Sequence, residues 1–174
     1  QPGSFCSAFT PIDPSDLNQA SIAIGDMAGT QSVTRQVTNV SAGSLTVSPS
    51  ITGLAGINTV VNPATLTLAK GETKSFSVTI TRTTAALNSY TGGQLTLTGD
   101  KGHVVRIPMV VRPVALAAPA EVTGSGASGS LSFPIKFGYD GAYTAGTHGL
   151  NPATTFAGTV PDDPTDTFVP GGPG

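Results

Sequence analysis

Two histidines, one cysteine and one short run of aspartates carry most of the reactive or ligating chemistry in this 174-residue chain. A hydrolase needs a nucleophile with a base in reach, and a metalloenzyme needs clustered ligands. His103 and His148 lie far apart in the sequence. His103 is expected to open a strand beside a hairpin turn, partly exposed. His148, in Thr147-His148-Gly149, is expected to make local hydrogen bonds in an irregular segment. Cys6 has no histidine or basic residue near it in sequence to stabilise a thiolate. It reads either as a free thiol or as a half-cystine whose partner lies upstream of this chain. Asp162, Asp163 and Asp166 form the one acidic cluster, within Val160-Pro161-Asp162-Asp163-Pro164-Thr165-Asp166. Calcium takes several oxygen ligands in flexible geometry, so these three are the only metal candidates. The glycine and distal glutamate of an EF-hand loop are missing, which leaves a solvated, proline-rich turn as the competing reading. No other cofactor is expected.

Two further features point to surface chemistry. Asn39-Val40-Ser41 matches the N-glycosylation sequon, against a plain reading as a strand-ending asparagine. Tyr139 and Tyr143, on a glycine-rich stretch, are the one candidate aromatic platform for a sugar, in a chain with no Trp and three Tyr.

The elements that must position these residues are β-strands. Charged residues make only 10% of the chain, and Glu occurs twice, at Glu72 and Glu121. The Glu, Lys and Arg that dress a helix surface are therefore scarce. Val- and Thr-rich runs suit a pleated, half-buried surface instead. With eight Lys and Arg against ten Asp and Glu, the net charge is −2, and no phosphate-neutralising patch is visible. Nucleic acid is not an expected partner. No apolar run reaches the roughly 18 residues of a membrane span. The chain starts Gln1-Pro2-Gly3 without a Met, which reads as excision from something longer. A surface of Thr, Ser and Gly suggests secretion.

The apolar pattern breaks into eight short alternating runs. They are Ser21–Ile24, Val33–Val40, Leu45–Val47 (closing at Pro49), Ile57–Val61, Leu66–Leu68, Lys74–Arg82, Gln94–Thr98 and His103–Arg112. Gly99-Asp100-Lys101-Gly102 reads as the hairpin turn between the last two. Pro108 offers no N–H to a ladder, so its strand is expected at an edge or with a bulge. Such spacing fits two packed antiparallel sheets of the immunoglobulin kind. With one Cys and no Trp, the fibronectin type III version is preferred over a true immunoglobulin domain. The expected core is Ile22, Ile24, Val37, Leu66, Phe76, Val78, Ile80, Leu95, Leu97, Val105 and Ile107. The fold class is thus all-β: a fibronectin type III-like, antiparallel β-sandwich followed by a partial β extension. Four stretches are expected: an extended opening segment (1–16), the sandwich (17–114), a Gly/Ser-rich linker or loop (115–130), and a partial β module or packed tail (131–174). Leu131 to Phe137 alternates as one good strand. One or two strands cannot bury a core alone, so the tail packs on the sandwich, pairs with another copy, or opens a further module.

Four motifs in order carry a resemblance. Asp16-Leu17-Asn18-Gln19-Ala20-Ser21-Ile22 resembles the D-L-N-x-x-S-I opening of the fibronectin type III-like C-terminal domain of subtilisin-like serine proteases. Thr34-Arg35-Gln36-Val37-Thr38-Asn39-Val40 is similar to its T-R-x-V-T-N-V run, and Val61-Asn62-Pro63-Ala64-Thr65-Leu66 to its V-x-P-x-x-L step. Gly71-Glu72-Thr73-Lys74-Ser75-Phe76-Ser77-Val78-Thr79 resembles its G-E-x-x-S-F-x-V-T strand. Departures are small, such as Ala20 where plant members commonly have Pro. Residues 120–174 look like the segment that follows this domain in large secreted bacterial members.

The family's catalytic motifs, D-[ST]-G, H-G-T and G-T-S, are missing from this sequence. The resemblance therefore implies a non-catalytic C-terminal accessory region of a secreted, bacterial subtilisin-like endopeptidase. Its implied partner is the catalytic domain of the same parent chain, which it would stabilise, with protein substrate as a further partner and self-association through the tail left open. The competing expectation is a free-standing extracellular module that binds carbohydrate or cell-surface polymer.

Overall fold

A computed structural model of the chain describes residues 12–126, 128–146 and 157–158. The chain divides into two compact units, Gln1–Gly141 and Ala142–Gly174. The described residues of the first form ten strands: β1 (Ile22–Met27), β2 (Thr30–Thr38), β3 (Leu45–Gly53), β4 (Ile57–Asn62), β5 (Leu66–Leu68), β6 (Thr73–Arg82), β7 (Thr91–Gly99), β8 (Val104–Pro113), β9 (Leu116–Ala117) and β10 (Lys136–Phe137). A 3-10 turn, Pro14–Asp16, precedes them, capped by the Asp13 carboxylate on the Ser15 N–H at 2.9 Å. No α-helix occurs among the described residues, and none there is long and apolar enough to cross a membrane. In the second unit the described residues, 142–146 and 157–158, form no regular element.

Strands β1 to β8 make a sandwich of two sheets, ordered β1-β8-β7-β3-β5 and β2-β6-β4. All pairs within it are antiparallel except β1 with β8, which run parallel from Ile22 opposite Met109, so the larger sheet is mixed at one edge. The alternating residues meet between the layers. Ile22, Phe76, Val78, Ile80, Leu66 and Leu95 are each at most 2% exposed, and Ile24, Leu97 and Ile107 are buried beside them. Burying each such side chain contributes about 1.5–3 kcal/mol. Val37 packs against this cluster from a half-buried position.

Val105 departs from the expected core, being 52% exposed. Its face is the inner one, since it stands opposite Leu97 in the β7–β8 ladder. What it lacks is cover: β1 begins to flank β8 only at Met109, four residues further on. Val105 therefore lines a groove of about 150 Å³ with Val37, Leu45, Val47, Leu68 and Leu97.

The two prolines within strands obey one rule. Pro108 lies just before β8 acquires its second neighbour, opposite Gln94 of β7. The strand is thus interior from Met109 onward and marginal before it, where the expectation had a simple edge or bulge. Pro49 does not end β3 as expected, for the strand runs on to Gly53. It sits opposite Leu97 of β7 just past the point where β5, paired only to Leu45–Val47, stops. A residue without an N–H is tolerated where a strand has one partner instead of two. Between β4 and β5 the chain changes sheets, and its Asn62–Pro63 peptide is cis.

From Val114 to Gly141 the chain remains part of the first unit. The strand expected over 131–137 is realised only at Lys136–Phe137, because β9 offers just two partners, Ala117 and Leu116. Gly138 follows, donating its N–H to Ala115 O at 2.9 Å. A Cβ on Gly138 would stand 2.0 Å from the Val114 carbonyl oxygen, so this approach to the end of β8 requires glycine.

Candidate functional site

The richest set of polar contacts lies along the free edge of β2, the outer strand of the smaller sheet. Residues 13–21 run beside it. Asp16 Oδ1 accepts from the Thr34 N–H at 2.8 Å, and Asn18 Oδ1 from the Gln36 N–H at 2.9 Å. Arg35, between those two, is 3% exposed. Its guanidinium donates through Nη1 to Ser15 O at 2.6 Å and Thr34 O at 2.8 Å, and through Nη2 to Ser21 O at 2.8 Å. Its Nε has no partner among the described residues. Desolvation pushes the guanidinium pKa down while the nearby Asp16 charge opposes this; an arginine remains charged regardless. Gln31 adds a fourth tie, with Nε2 donating to Ser15 Oγ at 2.8 Å and Asp13 Oδ2 at 3.3 Å. The Asp13 carboxylate is held below its ordinary pKa first by the Ser15 N–H, then by the Ser15 hydroxyl.

At one end of the sandwich, Asn39 forms a second polar node. It is 2% exposed. Its Nδ2 donates to three carbonyls, Gly43 at 2.8 Å, Leu68 at 3.0 Å and Ala69 at 3.1 Å, and its Oδ1 accepts from Ser41 N and Oγ. Its backbone pairs both ways with the loop before β6, donating to Glu72 O and accepting from Gly71 N. The sequon reading is thereby corrected: the nitrogen a glycan would need is buried and fully used in the folded domain. Glu72 closes the same loop, accepting the Ala69 N–H at 2.7 Å, and that bond above all lowers its carboxyl pKa.

The motif residues thus serve one another. Asp16 and Asn18 of the first motif bind Thr34 and Gln36 of the second, and Asn39 of the second binds Gly71 and Glu72 of the fourth. Sequence reasoning registered these letters as a family signature but missed their pairing. The signal was present: two polar residues two positions apart, facing two strand residues two positions apart.

Three other candidates fall among the described residues: His103, Tyr139 and Tyr143. His103 is exposed at the turn before β8, where its carbonyl accepts the Gly99 N–H. Tyr139, in the first unit, is 37% exposed with its ring edge-on to Phe137 at 6.1 Å. Tyr143, in the second unit, is 51% exposed. Among the described residues no group of three or more His, Cys, Asp or Glu gathers into a metal-binding set. Cys6, His148, Asp162, Asp163 and Asp166 lie outside the described residues.

Fold and nodes together define a β-sandwich of the fibronectin type III kind, with these two polar nodes tying its strands and loops together. The chain belongs to the fibronectin type-III domain family, whose pattern it matches over residues 16–111. Over 98 residues, 56% of this chain, it is 43% identical to subtilisin-like protease SBT2.5 of Arabidopsis thaliana. It is 38% identical over 102 residues, 59% of this chain, to subtilisin-like protease SBT2.6 of the same plant. In both cases the match spans only 12% of the relative's length. Both are plant proteins, where the sequence alone suggested a bacterial parent. Among solved structures, the CupB2 chaperone of Pseudomonas aeruginosa aligns with a TM-score of 0.45 and 12% identity, covering 55% of this chain and 53% of that one.

Proposed function

We propose that this chain is the accessory β-sandwich of a secreted subtilisin-like serine endopeptidase, carrying no catalytic residue itself. It stabilises the catalytic domain of the same polypeptide and adds surface for substrate or partner binding. The observation that carries this reading is the 43% identity to a subtilisin-like protease over 98 residues, a length close to that of the fibronectin type-III match at 16–111. It is supported by the motif residues, whose side chains and backbone groups are spent on holding strands and loops together. A domain built so rigidly suits a role in kinetic stability outside the cell, where unfolding exposes a protease to its own kind.

Deleting these residues from the parent protease, and adding the separate domain back, tests the proposal. The inactivation half-life of the catalytic domain should shorten on deletion and recover on addition. An unchanged half-life, melting temperature and substrate preference would overturn it.

A further inference from the structure

Along the middle of β2, side chains take three of the backbone groups that point outward. Thr34 N–H goes to Asp16, Gln36 N–H to Asn18, and Thr34 C=O to Arg35. Outward N–H groups recur at every second residue of an edge strand. Asp16 and Asn18, also two residues apart, set their oxygens at that spacing and so imitate the carbonyls of a neighbouring strand. A real strand would carry a fresh row of donors and acceptors onward; two side chains end the ladder.

Beneath this cover lies a strand well suited to pairing. β2 is nine residues long, rich in Thr and Val, and its one charge, Arg35, is turned inward and buried. Its outer-face row, Thr30, Ser32, Thr34, Gln36 and Thr38, is uncharged, and the chain's net charge of −2 offers little repulsion between copies. Long, flat, uncharged edges template association with another chain. An antiparallel partner related by a two-fold axis supplies the same donors and acceptors in reverse order, so β2 is complementary to itself. The Thr34 carbonyl oxygen has two lone pairs, and Arg35 does not exclude a strand N–H.

We infer that Asp16 and Asn18 mask a strand-acceptor edge, and that β2, once unmasked, pairs with β2 of a second copy of this chain. The mask thus holds the domain single.

The test is the double variant Asp16→Ala/Asn18→Ala of the whole chain, followed by sedimentation velocity over a concentration series and by amide hydrogen exchange. The variant should dimerise with a dissociation constant at least about tenfold tighter than any wild-type self-association. Adding Thr34→Pro, which deletes an outward N–H without touching the β6 ladder, should return it to a monomer. A folded double variant as monomeric as wild type, or a dimer that survives Thr34→Pro, overturns the inference. Should the double variant fail to fold, Asp16→Ala and Asn18→Ala singly each free one N–H. Exchange at Thr34 or Gln36 must then quicken and self-association rise, or the inference fails.

Discussion

The two open flanks of the sandwich are treated differently. On one flank, between β1 and β2, residues 13–21 cross from sheet to sheet and bind the β2 edge through Asp16, Asn18 and the buried Arg35. On the other, between β3 and β4, the described chain crosses only by two short connections, 54–56 into β4 and 63–65 into β5. There a cleft of about 420 Å³ lies among Pro49, Ser50, Ile51, Thr59, Val60, Val61 and Ala64, with Val60 56% exposed. That flank is blunted by interruption: β5 is three residues long, and Pro49 stands where β3 loses its second neighbour. Short strands and prolines discourage pairing by offering little to pair with. A long strand such as β2 cannot be blunted that way and needs its groups occupied. The latch is polar and therefore directional, fixing register as well as covering an edge.

Substitutions measure how deep this asymmetry runs. The largest effect belongs to the layer both flanks share: Phe76→Ala should cost about 3–5 kcal/mol, read by denaturant unfolding. A loss below about 1 kcal/mol would mean Phe76 is not central, and the flanks would then matter more than the core. Next comes the latched flank. Arg35→Met keeps much of the volume but strips partners from the Ser15 and Ser21 carbonyls, and should cost about 2–3 kcal/mol. Arg35→Lys, which cannot reach both carbonyls in a fork, should fall between Met and wild type.

Acid gives a smaller and more selective test. Asp13 and Glu72 both have folded-state pKa values below their ordinary ones, Asp13 chiefly through the Ser15 N–H and Glu72 chiefly through the Ala69 N–H. Their stabilisation is complete above the ordinary carboxylate range and is lost as pH falls through the lowered folded values. Melting temperature followed down the acid limb should therefore drop less steeply for Asp13→Asn than for wild type. Identical limbs would leave Asp13 without a part in the latch. Smallest of all is the open flank, where Val60→Thr should stay within about 0.5 kcal/mol of wild type. If Val60→Thr matched Arg35→Met, the contrast between the flanks would vanish.

The sequence revealed orientation better than enclosure. Alternation placed Phe76, Val78 and Ile80 inward, and burial follows there because both sheets extend over them. The same alternation turned Val105 inward, yet it stays half exposed beside a groove, since β1 flanks β8 only from Met109 onward and nothing local to Val105 sets that start. Pro49 looked like a stop because a proline in a strand removes a ladder bond; whether that bond is needed depends on the length of β5. Arg35 was legible only as a motif letter. A charge on the inward-facing row of a strand normally argues against burial, and its three backbone partners come from residues up to 20 positions away in sequence. Distant partners of this kind leave no periodic trace.

Asn39 gives the molecule a built-in clock. An oligosaccharyl enzyme could reach its amide only before the loops of Gly43, Leu68 and Ala69 close around it. A sugar at that position would be a timestamp, marking a polypeptide that met the enzyme while still open.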